Sequence, residues 1–220
     1  LIELNKIVLA DCTDIMKDIP DKFFELAIVD PEYGIGASDY KRGGTQHGNS
    51  KAICKTYASK NWDNKIPEKK YFDEIIRISK NQIIWGGNYF IDYLYNTSCF
   101  IVWDKDNSDN NYADCELAWT SFNSAVRKFK YKWHGMLQEN MKQKDIRIHP
   151  TQKPVALYRW LLQNYAKIGD KIIDTHSGSG SLACACHLEK FDFLAIEKDE
   201  DYYKSSVERL DTLRSQGTLF

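Results

Sequence analysis

The fold is read from residues 171–197. They run Lys171-Ile-Ile-Asp-Thr-His-Ser-Gly-Ser-Gly-Ser-Leu-Ala-Cys-Ala-Cys186 and continue to Phe193-Leu-Ala-Ile-Glu197. Residues 171–173 are a short apolar run of the kind buried in a parallel sheet, closed by Asp174. Residues 177–181 form a turn with two glycines, and 182–188 carry the small and apolar side chains of a helix packed tightly on a sheet. Residues 193–196 predict a second strand ending in the carboxylate of Glu197. This succession makes a half-site for a nucleoside. Gly178 and Gly180 let the backbone approach a ligand, the helix start offers free N–H groups, and the terminal acid can accept from both ribose hydroxyls. Gly178-x-Gly180-x-x-Ala183 also satisfies a dinucleotide fingerprint, so the turn alone does not choose a cofactor.

Working outward, residues 6–10 predict a strand ending at Asp11-Cys12, and 13–19 a short helix stopped at Pro20. Residues 23–29 predict a strand whose run Leu26-Ala27-Ile28-Val29 suits burial on both faces. It ends in Asp30-Pro31-Glu32-Tyr33-Gly34. An aspartate at a strand's C-terminal end lies where open α/β sheets bind ligands. Pro31 stiffens the turn, leaving carbonyls free to accept, and Tyr33 can present its ring to a planar group. An acceptor-rich turn beside an aromatic plate suits the exocyclic amine of a flat base. The plainer alternative is an Asp-Pro turn with a surface tyrosine. Further along, a helix opened by Pro67 shows the stripe Phe72, Ile75, Ile76, Ser79. Strands are expected at 82–85, 99–103 and 115–120, a short helix at 89–95, and helices at 154–166 and 199–214.

The formal net charge is −1, but it is unevenly spread. Residues 36–60, with Lys41, Arg42, Lys51, Lys55 and Lys60 against Asp39, carry +4, and residues 127–148, with Arg127, Lys128, Lys130 and Lys132 among them, carry +5. Two basic stretches on an acidic body form a candidate polyanion face. Residues 36–61, which include the first, have no apolar periodicity and are read as a mobile lid or a strand-gripping loop. In the second, 121–148, Phe122, Phe129, Tyr131 and Trp133 interleave with lysines. They fit stacking on bases, and equally one buried face of a strand. Six cysteines without a CxxC pair read as reduced residues, and Cys184, Cys186 and His187 make a poor metal site, so no metal is expected. No apolar run approaches the ~20 residues of a membrane span. Leu1-Ile2-Glu3-Leu4-Asn5 has neither a basic n-region nor a cleavage site, and a cytoplasmic protein is expected.

With both motifs in view, the chain resembles the β-group of amino-directed DNA methyltransferases, which modify adenine N6 or cytosine N4. The resemblance rests on Asp11-Cys12, Asp30-Pro31-Glu32-Tyr33, Trp62-Asp63, Trp103-Asp104-Lys105, the segment His149-Pro150-Thr151-Gln152-Lys153-Pro154, the loop 174–181 and Glu197, in that order. It implies an α/β Rossmann-like methyltransferase fold in one domain, 1–220. The sheet would be mostly parallel and seven-stranded, with helices on both faces and a circularly permuted motif order. Residues 121–148 would be a small target-recognition segment. S-adenosyl-L-methionine is the implied cofactor. Ser177, Gly178, Ser179, Gly180, Thr151 and Lys153 would hold its methionine part, Glu197 the ribose, and Asp11 with Cys12 the adenine, with Asp30, Asp174 and His176 also among the cofactor-binding residues. Asp30 and the Pro31 carbonyl would orient the target amine while Tyr33 stacks on the extruded base. Aspartate at position 30 resembles the adenine-N6 members. DNA is the implied partner, with a homodimer and a restriction endonuclease counterpart as further expectations. Two positions depart from the family pattern: Glu32 replaces a proline, and Asp174-Thr175-His176 replaces Asp-Pro-Phe. Cytosine-N4 transfer, a cofactor-binding pseudoenzyme on DNA and, more distantly, a nicotinamide oxidoreductase are the competing readings.

Overall fold

The structure is a computed structural model that describes residues 2–37, 60, 62–107, 113–134, 137–142 and 144–216. In chain order the elements are β1 (Lys6–Leu9), α1 (Cys12–Lys17), β2 (Phe24–Val29), α2 (Lys69–Ile78), β3 (Ser79–Trp85), β4 (Phe100–Asp104), β5 (Cys115–Thr120) and β6 (Arg127–Lys130). The short hairpin β7 (Trp133–His134) and β8 (Leu137–Gln138) follows. The chain then builds α3 (Val155–Tyr165), β9 (Lys171–Asp174), α4 (Ser181–Glu189), β10 (Asp192–Glu197) and α5 (Glu200–Gln216). Among the described residues the main sheet has the order β1-β10-β9-β2-β3-β5-β4-β6. From β1 through β3 all neighbours are parallel. β5 is antiparallel to both β3 and β4, and β6 is parallel to β4.

Helices cover both faces, which explains the continuous apolar runs. On β2, Leu26 and Ile28 pack with α3, α4 and α5, while Ala27 and Val29 pack with α1 and α2. A strand with period two and two buried faces can spare no position for a polar side chain. The stripe on α2 is Tyr71, Phe72, Ile75 and Ile78. The expected Ile76 is only partly buried, and Ser79 already opens β3, its hydroxyl donating to the Ile75 carbonyl at 2.5 Å. Two further expectations are corrected, and between two open alternatives one is favoured. The sheet has eight strands rather than seven, because the basic segment contributes β6 as an added edge. Residues 89–95 form no α-helix but lie in two single 3₁₀ turns, Gly87–Tyr89 and Ile91–Tyr93. The aromatic alternation after residue 127 is a packing face: Phe129 stacks on Tyr131 and tilts against Trp160 of α3, and Trp133 is buried.

Candidate active site

The parallel strands all end at one rim, and their last residues or the turns after them carry the acids: Asp11 after β1, Glu197 on β10, Asp174 on β9 and Asp30 after β2. Leu9 pairs with Glu197, Ala195 with Asp174 and Ala27 with Ile173, so the rim is level to within a few residues. From β9 the chain passes through α4 to β10 on one side; from β2 it passes through α2 to β3 on the other. The order therefore reverses between β9 and β2, and the crevice at such a reversal is where open α/β sheets take ligands. Asp30 and the glycine loop, far apart in sequence, flank it. A cavity of about 950 Å³ lies there, lined among others by Asp11, Cys12, Asp30, Glu32, Trp62, Thr151, Lys153, His176, Ser177, Gly178, Ser179 and Glu197.

Both Asp30 oxygens are held. Tyr33 Oη donates to Oδ1 at 2.6 Å and Lys153 Nζ to Oδ2 at 2.5 Å. Lys153, expected at the methionine end of a cofactor, lines the cavity and is buried against the Asp30 turn, with a second ion contact to Glu116 Oε2 at 3.0 Å. Tyr33, expected as an aromatic plate, is partly buried. Its ring stacks on Tyr89 at 5.0 Å, meets Phe90 edge-on, and lies so close to Gly86 that a Cβ there would stand 2.2 Å from Tyr33 Cε1. Burial and the neighbouring Asp30 carboxylate push the phenol well above its ordinary range, so it stays a donor. The chain leaving the turn is clamped by the buried Asp63. Its carboxylate accepts from Gly34 N at 2.8 Å and Ala37 N at 2.7 Å, and its carbonyl from Gly36 N at 2.9 Å.

On the other bank, Ser177 N donates to the Ile196 carbonyl at 2.9 Å, and Glu197 accepts from Gly178 N at 2.7 Å and Asp199 N at 2.8 Å. Gly178, at φ +50°, faces the His149 ring. Gly180 packs instead against Ser206 and Ile7 as the cap of α4, outside the cavity lining. Asp174 also lies behind the lining, accepting from His176 N at 3.1 Å. Burial raises its carboxyl to about 7. Asp11 lines the cavity while capping α1 through Thr13 N at 2.8 Å. Thr151 bonds His149 Nδ1 at 3.1 Å. Burial depresses the His149 imidazole to about 3, which keeps it neutral between Trp62 and Tyr202.

The two departures from the family pattern meet in space. His176 Nε2 lies 3.1 Å from Glu32 Oε2, and Lys198 Nζ lies 2.5 Å from Glu32 Oε1. Despite burial, His176 and Lys198 hold the Glu32 carboxyl far below its usual range, and Glu32 in turn raises His176. A proline-to-acid change on one loop and an apolar-to-imidazole change on the other thus make one ion pair joining the Asp30 turn to the glycine loop.

Of the basic residues, Lys41, Arg42, Lys51 and Lys55 lie outside the described residues. Lys60 is turned inward, 2.6 Å from Asp199 and 2.9 Å from Asp201. Lys128 pairs with Asp104, and Lys130 and Lys132 with Asp106, while Arg127 is exposed on the edge strand. Sequence reasoning missed Glu116 and Arg209; the latter braces the Ser179 carbonyl and the Ser181 hydroxyl, both at 3.0 Å. Neither carries a local signal, since each works through partners far away in the chain.

The N6/N4 DNA methylase family matches residues 54–208, which hold Lys153, the glycine loop and Glu197. The chain belongs to this family. The matched range begins after the Asp30–Tyr33 turn, so the weight on that turn comes from its geometry. Type II methyltransferase M.HpaI of Haemophilus parainfluenzae is 37% identical over 70 residues, 31% of this chain and 22% of that protein. M2.MboI of Moraxella bovis is 24% identical over 238 residues, 90% and 85% of the two chains. The chain thus spans about a fifth of the length of M.HpaI, and about half that of M2.LlaDCHI of Lactococcus lactis subsp. cremoris, to which it is 27% identical over 144 residues. The fold is that of M1.HpyAVI, solved as its SAM complex (TM-score 0.56, 22% identity, 93% and 99% coverage). It is equally that of the cytosine-N4-specific PvuII DNA methyltransferase (TM-score 0.59, 10% identity, 96% and 91% coverage). Among the described residues no helix is long and apolar enough to cross a membrane.

Proposed function

We propose that this chain transfers a methyl group from S-adenosylmethionine to the exocyclic amine of a base extruded from DNA, and that the base is adenine, methylated at N6. The observation that carries the reading is Asp30 standing at the switch-point crevice, both oxygens held, on the wall of a cavity bounded by the glycine loop. Residues around that cavity fit the cofactor. Ser177 Oγ and Trp62 Nε1 are buried there with no partner among the described residues, polar atoms awaiting one. Ser177, Gly178 and Thr151 would hold its methionine part, Glu197 the ribose, and Asp11 with Cys12 the adenine. When bound, the cofactor supplies an electrophilic methyl group on a sulfonium.

An aryl amine is a weak nucleophile because its lone pair is delocalised into the ring. Each Asp30 oxygen keeps a lone pair beyond the one used by Tyr33 or Lys153. An N–H bond donated to Asp30 and another to the Pro31 carbonyl favour a pyramidal nitrogen and stabilise the positive charge that develops on it. Tyr33 then serves by holding Asp30, a role its packed ring suits better than stacking. Extrusion costs a few kcal/mol, which phosphate contacts from the basic stretches can offset. The family and the Type II methyltransferase relatives support DNA as substrate, and aspartate rather than serine at position 30 supports adenine. The test is incubation with tritiated S-adenosylmethionine and unmethylated plasmid, followed by mass spectrometry of the nucleosides. N6-methyladenine is expected. N4-methylcytosine would shift the target base, and no incorporation, or calorimetric binding of NAD rather than S-adenosylhomocysteine, would overturn the proposal.

A further inference from the structure

The ammonium of Lys153 stands between two acids, only one of which has a part in the transfer just described. Its Nζ lies 2.5 Å from Asp30 Oδ2, 3.2 Å from Tyr33 Oη and 3.0 Å from Glu116 Oε2. Two of its hydrogens go to Asp30 Oδ2 and Tyr33 Oη, while Glu116 Oε2 lies at ion-pair distance with no hydrogen bond among the described residues. Glu116 is held in turn by Lys105, whose Nζ is 2.5 Å from Oε1. The rings of Trp85 and Tyr33 flank the Lys153 ammonium at 5.2 and 5.6 Å, closing the remaining sides with apolar surface.

Topology puts Glu116 there. β5 runs antiparallel to β3, so its first residues reach the rim at which the parallel strands end. Trp85, the last residue of β3, pairs with Ala118, and Glu116 stands two residues beyond it. A buried ammonium facing one carboxylate alone would settle between both of that acid's oxygens, and the acid would lose capacity to accept from anything else. A second carboxylate at ion-pair distance draws the cation by its charge and keeps it on Oδ2 alone, leaving Oδ1 to Tyr33. Removing one partner of such a buried set leaves an uncompensated charge that must relocate.

We infer that Glu116 is a positioning residue for methyl transfer: through Lys153 it fixes the Asp30 carboxylate in the orientation that receives the base amine. This rests on Asp30 being the amine acceptor. Glu116 touches neither substrate nor cofactor, and its effect falls on the rate of the chemical step rather than on binding.

The experiment measures single-turnover transfer to unmethylated plasmid, KM for DNA, Kd for S-adenosylhomocysteine and Tm. It uses the wild type, Glu116→Gln, Glu116→Asp, Lys153→Met and the Glu116→Gln/Lys153→Met double variant. Glu116→Gln should slow transfer roughly 10- to 100-fold, the scale of a misplacement of about an ångström, with KM and Kd within about twofold of wild type. Glu116→Asp, which keeps the charge, should recover much of the rate and covers the case in which the glutamine variant folds poorly. The double variant should be no slower than Lys153→Met, because Glu116 acts only through that lysine. Unchanged transfer by Glu116→Gln beside an active wild type overturns the inference alone, as do parallel losses of rate, affinity and Tm. An inert wild type overturns the proposed function and this inference with it.

Discussion

Replacing Asp174 by asparagine separates the charge of that buried carboxyl from its shape. Asp174 is 5% exposed, its hydrogen bond from His176 N is the contact that favours the ionised form, and Asp30 and Glu197 nearby disfavour it. Burial therefore raises the folded-state value to about 7 from the ordinary 3.8. Because the folded protein binds this proton more tightly than the unfolded chain, its contribution to stability is complete below about pH 4 and is lost progressively as pH rises to about 7. The whole gap corresponds to about 4 kcal/mol, at ~1.4 kcal/mol for each tenfold change in proton affinity. Asparagine keeps an oxygen for His176 N and cannot ionise. Urea-unfolding free energies of both proteins, measured from pH 5 to pH 8, should diverge in favour of Asp174→Asn by about 2–3 kcal/mol across that window. Curves that stay parallel would show that the carboxyl is already ionised at pH 5 and that the description of its surroundings is wrong.

Asp30→Ala should abolish transfer while S-adenosylhomocysteine still binds by calorimetry; full activity would remove Asp30 from the chemistry. For the Glu32–His176 pair, a double-mutant cycle with glutamine at each position should give a coupling of about 1–3 kcal/mol near pH 6. The raised His176 value makes its share fully present below 6.5 and lost as pH climbs through the folded value, while the lowered Glu32 value makes its share present above 4.5 and lost in acid. Coupling that holds constant to pH 9 would contradict an ionic pair. Gly86→Ala sets a methyl 2.2 Å from Tyr33 at φ +71°. It should cost about 1–3 kcal/mol in unfolding assays and reduce transfer more than cofactor binding, since the ring it displaces holds Asp30.

Phe72 lies wholly inside the α1/α2 layer, and Phe72→Ala should cost about 3–5 kcal/mol by chemical denaturation. A much smaller value would mean that this face of the sheet is less tightly packed than described.

The strands around the crevice were readable from composition and order alone. Residues 26–29, 172–173 and 193–196 are continuous apolar runs because both faces of a helix-covered parallel sheet are buried, and each ends where polar groups gather. Asp30, the glycine turn and Glu197 announced themselves because a strand's end followed by a turn is a local pattern. Contacts across the fold were not readable in this way. That Lys153 pairs with Asp30, that Tyr33 packs on Tyr89, that Glu32 finds His176 and that Glu116 reaches the rim all depend on which strands become neighbours. Sequence alone determined which chemistry-bearing groups end the strands, since hydrophobic periodicity and turn residues are written residue by residue. Tertiary structure decided their partners, because a charge 120 positions away exerts its field only once the sheet has brought it within a few ångströms.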